Sequence, residues 1–459
     1  MQTFLLFATI IIAVILMVLA ISKLKMHPFI VMLVIAMVVG LFWGIVDPES
    51  GLTPTEVVNQ IKNGFGSIMT SIGIVILCGT IIGTILEKTG AALTMANAIL
   101  KLVGVKNSVV AMGAMGYVTG IPVFCDSGFV ILDPIRKALV KRTGSSSVAA
   151  TVALSAGLYI SHVFIPPTPG PIAAANTLGI GDNLLLVIGL GVLCSIFPLA
   201  AGLVYAKFIG KKIKSADEIV SSDEVVKTYE ELVAAYGQLP GGFNALAPII
   251  IPVILMALGT IGKQLGVTGF ALDLLSFLGT PIIALAAGTI FAIAQLAIAK
   301  KMDQFYAITN DTLKTVGPIL FVTAAGGVLG KVISSTSMVS YITENAGFLM
   351  NLGIFFPFLL AAILKTAQGS STVAITTTAG IMAPMMASLG LDTPALGALT
   401  VMAIGAGAMT VSHANDSYFW VVTNFGEMTP DQGYKTQTVL TLVMGVASII
   451  GIFVLSLFF

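Results

Sequence analysis

Hydrophobic positions along this chain fall in long runs. Near-continuous apolar stretches occupy roughly residues 3–21, 28–46, 68–86, 183–208, 245–262, 281–299, 316–333 and 436–458. Each has the length an α-helix needs to cross a bilayer, about 20 residues. Four more segments, 107–140, 147–180, 346–388 and 394–424, are interrupted by Gly, Pro and polar residues. Backbone groups freed in lipid cost several kcal/mol each unless protein or a water-filled cavity satisfies them. The pattern therefore predicts an all-α polytopic membrane protein whose interrupted segments line a cavity.

The sharpest interruption is Ser161-His162-Val163-Phe164-Ile165-Pro166-Pro167-Thr168-Pro169-Gly170-Pro171. Four prolines remove backbone donors and clash with the preceding turn. They predict a helix that unwinds after Ile160 and restarts only after Pro171.

One long polar stretch, 210–244, divides the chain into halves at 1–209 and 245–459. It begins Gly210-Lys211-Lys212-Ile213-Lys214, carries an acidic run from Asp217 to Glu231, and closes with the turn residues Pro240-Gly241-Gly242. It reads as a cytoplasmic linker. An offset of about 250 residues lays one half on the other. Gly79-Thr80-Ile81-Ile82-Gly83 meets Gly326-Gly327-Val328-Leu329-Gly330, Pro134 meets Pro384, and Ser161-His162 meets Ser412-His413. Such order at one offset predicts an internal duplication.

Basic residues orient the halves. Lys23 and Lys25, Lys88 to Lys106, Arg136 to Arg142, Lys207 to Lys214, and Lys300 with Lys301 are cytoplasmic by the positive-inside rule. Lone Lys62, Lys263 and Lys331 fall outside. Segment 107–140 then has basic groups at both ends and must enter and return, with its tip at Gly120-Ile121-Pro122-Val123-Phe124-Cys125-Asp126-Ser127-Gly128. Segment 346–388 reads as the matching hairpin from outside, with its tip near Thr366 to Thr372. Each half has five spans and one re-entrant hairpin, so the repeats are inverted in topology and both termini lie outside. The first run lacks a basic flank before it, which predicts a retained span and not a cleaved signal peptide.

Composition agrees. Hydrophobic residues make up 57%, charged residues 9%, and mean hydropathy is +1.03. Lys+Arg 22 against Asp+Glu 21 leaves no field for nucleic acid. Cys78, Cys125 and Cys194 have no metal-ligand spacing, and no metal or cofactor is expected.

The two hairpin tips and the two broken helices, 161–171 and 412–417, carry the polar residues at membrane depth. Helix ends suit an anion, and hydroxyls and amides suit a polyhydroxylated one. Ser127, Thr168, Gln368, Ser370, Ser371, Thr372, Asn415 and Ser417 are the candidates for substrate contact. The tip and break residues Cys125, Gly128, Pro169, Gly170 and Gly369 join them. Lys365, beside the second tip, either adds a positive charge or snorkels to an interface. Ionisable groups within a membrane are costly and functional by default. Here these are Asp126, His162, His413 and Asp416, candidates for proton linkage, the first three also for substrate contact; Asp133 is expected to be partly buried. Asp126 and Asp416 also suit N-caps of the helices that follow them. His27, beside Lys25 and Pro28, reads as a helix-terminal hydrogen bonder.

Gly120-Ile-Pro-Val-Phe-Cys-Asp-Ser-Gly128, His162-Val-Phe-Ile-Pro-Pro-Thr-Pro-Gly-Pro171, Ser412-His-Ala-Asn-Asp-Ser417 and the Gln368-Gly-Ser-Ser-Thr372 tip resemble the gluconate permease family over essentially the whole chain. The resemblance implies a bacterial inner-membrane secondary transporter that imports gluconate or a related hydroxy acid with protons; some members carry D-serine. It also implies a homodimer in which a transport domain moves past a scaffold, elevator fashion. Two other readings stay open on the residues: a sodium-coupled carboxylate carrier, and a membrane-embedded hydrolase using Ser127 or Ser161 with His and Asp.

Overall fold

The computed structural model describes residues 24–459 apart from 49–51, 105–106, 217–233, 235, 238, 265–266, 336–351 and 414–415, and a few positions before residue 21. Most of run 3–21, the acidic part of the linker, the start of segment 346–388 and Asn415 thus lie outside the described residues. What is described is helical, with no strand among the described residues.

In chain order the helices are α1 (Pro28–Val46), α2 (Pro54–Lys88), α3 (Ala91–Val103), α4 (Ser108–Gly120), α5 (Cys125–Thr143), α6 (Ser147–Phe164), α7 (Pro169–Thr177) and α8 (Leu184–Ile209). After the linker come α9 (Gly242–Gln264), α10 (Phe270–Gly279), α11 (Pro281–Ile298), α12 (Phe305–Ser334), α13 (Phe355–Gln368), α14 (Ser371–Met382), α15 (Pro394–Met409), α16 (Ser417–Phe425) and α17 (Pro430–Ser456). Seven helices are long and apolar enough to cross a membrane, or eight with α2, which bends by 41° between Thr70 and Gly73.

Proline starts helices here more than it breaks them. Pro28, Pro54, Pro169, Pro281, Pro394 and Pro430 all occupy a first turn, where the missing N–H would be unpaired anyway. This corrects the expected break. α6 continues to Phe164 and α7 restarts at Pro169, so only 165–168 is unwound. Two short helices, α3 and α10, were not expected, and α2 and α12 begin well before the runs at 68 and 316. Their first ten residues carry Glu56, Asn59, Gln60 and Lys62 in α2 and Asn310, Asp311 and Lys314 in α12, which interrupt any bilayer-length apolar run.

Most helices pack into two bodies. One holds α4–α8 with α13–α17; the other holds α1, α2 and α9–α12; α3 packs on members of both. α6 is buried along its whole length, and α15 from Gly397 onward. The outer helices α1, α8 and α17 expose Val34, Val38, Ile45, Ile196, Val204, Val446 and Ile450, the apolar surface that a lipid solvent requires. Close approach at the centre rests on glycine. A Cβ on Gly157 of α6 would stand 2.1 Å from the Gly113 carbonyl oxygen of α4. The bodies meet where α12 lies on α14, a Cβ on Gly380 standing 2.4 Å from the Gly326 carbonyl oxygen, and where α2 passes the break before α7, a Cβ on Gly79 standing 2.8 Å from the Pro167 carbonyl oxygen.

Candidate functional site

Two helical hairpins, α4–α5 and α13–α14, bring their tips to the two broken segments, α6–α7 and α15–α16. Between them lies a cavity of about 280 Å³. That is near the lower limit for small-ligand pockets, roughly 300 Å³.

Three helix N-termini face it. α5 contributes Phe124, Cys125 and Asp126; α14 contributes Gly369, Ser370, Ser371 and Thr372; α16 contributes Asp416, Ser417 and Tyr418. The positive ends of three helix dipoles converge on one space, an arrangement suited to an anion. Ser370 caps α14, its hydroxyl accepting from Val373 N at 3.3 Å. Asp416 caps α16, accepting from Tyr418 N at 3.1 Å. Asp126 lies inside the first turn of α5, and Phe124 holds the cap position without a side-chain bond, so the expected capping role for Asp126 is not found.

The fourth wall is α6, through Tyr159 and His162, one turn apart. The Tyr159 ring packs 5.0 Å from that of Tyr418 and 6.5 Å from that of His162. The Tyr159 hydroxyl donates to Asp416 Oδ2 at 3.4 Å, and the Tyr418 hydroxyl to the Ser155 carbonyl at 3.2 Å. Asp126 Oδ1 and His162 Nδ1 are buried without a protein hydrogen-bond partner. Buried polar groups are as a rule paired, so these two atoms are where a ligand or proton would be felt.

Asp416 also meets Lys365. Nζ lies 2.6 Å from Asp416 Oδ2, donates to the Gly369 carbonyl oxygen, and the lysine side chain has no exposed surface. Lys365 therefore does not snorkel; its charge is matched inside the protein. Asp126 is the one cavity carboxyl with no basic partner among the described residues.

The structure thus gathers Cys125, Asp126, His162, Gly369, Ser370, Ser371, Thr372, Asp416 and Ser417 around one space. Thr168, Pro169 and Gly170 are buried and do not line it; the Thr168 hydroxyl donates to the Ile165 carbonyl at 2.7 Å. Gly128 packs against Leu158. His413 stands apart, with Nε2 2.9 Å from the Thr366 carbonyl oxygen. The side chains of Ser127 and Gln368, like Asn415, lie outside the described residues. Sequence reasoning missed Phe124, Tyr159 and Tyr418. Tyr159 was within reach of it, since residues three apart share a helix face with His162.

Long apolar helices packed around a polar cavity, walled by two hairpins and two broken helices, define a polytopic membrane transport protein. The chain belongs to the GntP family of permeases, whose family model matches residues 5–458. An uncharacterized permease of Haemophilus influenzae is 33% identical over 422 residues, covering 90% of this chain and 84% of that one. The gluconate permease of Pseudomonas aeruginosa is 28% identical over 445 residues, covering 95% and 94%. Among solved structures, the Alcanivorax borkumensis YdaH transporter shares the fold, with TM-score 0.62 at 14% identity over 94% of this chain and 97% of that one. The relatives are permeases, and the hydrolase reading is set aside with them. Ser161 agrees: its hydroxyl is committed to the Gly157 and Leu158 carbonyls.

Proposed function

We propose that the protein is a proton-coupled importer of gluconate or a similar small hydroxylated carboxylate. The observation that carries this reading is Asp126, a cavity carboxyl without a cationic partner among the described residues, beside three helix N-termini that attract an anion. Two like charges at contact in a low-dielectric space repel by several kcal/mol. A substrate carboxylate binds there with Asp126 protonated, so anion and proton enter together. Asp416 is already neutralised by Lys365, which makes it a poor proton carrier. Ser370, Ser371, Thr372 and Ser417 supply the substrate's hydroxyl partners.

The hairpins are re-entrant in this reading, the halves are inverted repeats, and the termini lie outside a bacterial inner membrane. The division into two bodies supports an elevator motion of the hairpin body along α2 and α12; the homodimer comes from the family resemblance. The rival is sodium coupling. Uptake of gluconate into proteoliposomes under a pH gradient, without sodium, separates the two: accumulation supports proton coupling, and its absence until sodium is added refutes it. Asp126→Asn is expected to bind gluconate, read as a rise in Tm, but not to concentrate it; uphill uptake by this variant would end the assignment.

A further inference from the structure

Every hydrogen-bonding partner of the Lys365 ammonium seen here is an oxygen: the Gly369 carbonyl and Asp416 Oδ2. The same carboxylate oxygen accepts from the Ser412 hydroxyl at 2.5 Å. Carbonyl, carboxylate and hydroxyl oxygens are also the donor set of a hard metal cation. Each is available because a helix is broken there. Gly369, at φ +87°, ends α13 and turns the hairpin, while Ser412 and Asp416 lie in the unwound stretch between α15 and α16. The field favours one positive charge. Lys365 occupies the last turn of α13, the negative end of that helix. Its Nζ also lies 5.9 Å from the centre of the Tyr159 ring.

We propose that Lys365 is a tethered cation: its ammonium fills a monovalent-metal site between the second hairpin tip and the broken helix, and thereby excludes sodium as the coupling ion. Its meaning for coupling rests on the transport reading above; the site itself needs no substrate. With the ammonium in place, Asp416 is neutral in sum and the site has no charge to offer a metal ion. Lys365→Ala removes the cation and leaves the oxygens with one unmatched negative charge.

The test is the melting of the purified full chain, without substrate, in sodium chloride and in choline chloride of equal ionic strength. A ligand that binds only the folded state raises Tm by mass action. Wild type is expected to melt equally in both salts. Lys365→Ala is expected to melt lower than wild type in choline and to regain Tm in sodium along a saturable curve. Lys365→Met/Asp416→Asn, with neither charge, is expected to show no sodium response. In proteoliposomes any uptake by Lys365→Ala then requires sodium.

A sodium-specific rise in the wild type overturns the proposal, as does a folded Lys365→Ala indifferent to sodium. So does a Lys365→Ala that sodium cannot rescue while the double variant folds, and so does loss of both variants in every salt. If the wild type carries no gluconate, the transport reading fails, but the melting curves still decide the cation site.

Discussion

Arg136 and Asp133, one turn apart on α5, form an ion pair with both side chains buried, Nε 2.7 Å from Oδ1. Arg136 also donates to the Ser147 hydroxyl at the start of α6 and, at 3.2 Å, to the Phe425 carbonyl at the end of α16. It ties the returning arm of the first hairpin to both broken segments. Lys137 beside it is partly exposed and meets Glu427 at 2.6 Å.

These neighbours should differ in cost. Arg136→Ala unties three elements and leaves the buried Asp133 carboxylate with Lys137 at 3.8 Å as its cation, a loss of roughly 3 kcal/mol. Lys137→Ala removes a part-exposed pair with Glu427 and a longer one with Asp133, each worth about 0–1 kcal/mol. Denaturation of the two variants in detergent checks this, and equal losses would refute the buried role of Arg136.

Gly157→Ala should unseat α6 from α4, because the added methyl meets a main-chain oxygen that cannot step aside. Overpacking of this kind costs at least about 1–3 kcal/mol, read as lost folded yield. Gly66→Ala, in α2 with nothing within 4 Å, should be neutral or stabilising by up to about 1 kcal/mol. A well-folded Gly157→Ala of unchanged Tm would contradict the close approach.

Ser370→Ala removes the cap of α14 and a hydroxyl facing the cavity. The cap alone is worth about 1 kcal/mol. The expected outcome is a small fall in Tm with a larger fall in gluconate affinity, measured by calorimetry. An unchanged affinity would remove Ser370 from the substrate's contacts.

His162→Ala should slow uptake at least about tenfold, a change of about 1.4 kcal/mol. His162 forms part of the cavity wall, stacked on Tyr159. His27→Ala should transport like wild type, since His27 only caps α1, accepting from Phe29 N at 3.3 Å. Equal rates in the two variants would dismiss a transport role for His162.

Much of this was legible in the sequence because hydrophobic run length is a local property. The spans at 28–46, 183–208 and 281–299 recur almost residue for residue in α1, α8 and α11. The first tip was legible from its Gly and Pro residues, the second from the polar run Gln368 to Thr372 between apolar arms, and Asp416 from its place before an apolar helix. The break near His162 was placed too broadly, since a proline at a first turn begins a helix as readily as it ends one.

A membrane protein with two tips and two breaks followed from the order of residues alone, since bilayer thickness and backbone hydrogen bonding leave few other forms to such a chain. It did not pair Lys365 with Asp416, 51 residues on, or bring Tyr159 to Asp416 across 257. Folding in space sets which carboxyl Lys365 neutralises and which, Asp126, faces the cavity with no basic partner among the described residues. Charge pairing acts through a few ångströms of space, and separation along the chain carries no record of it.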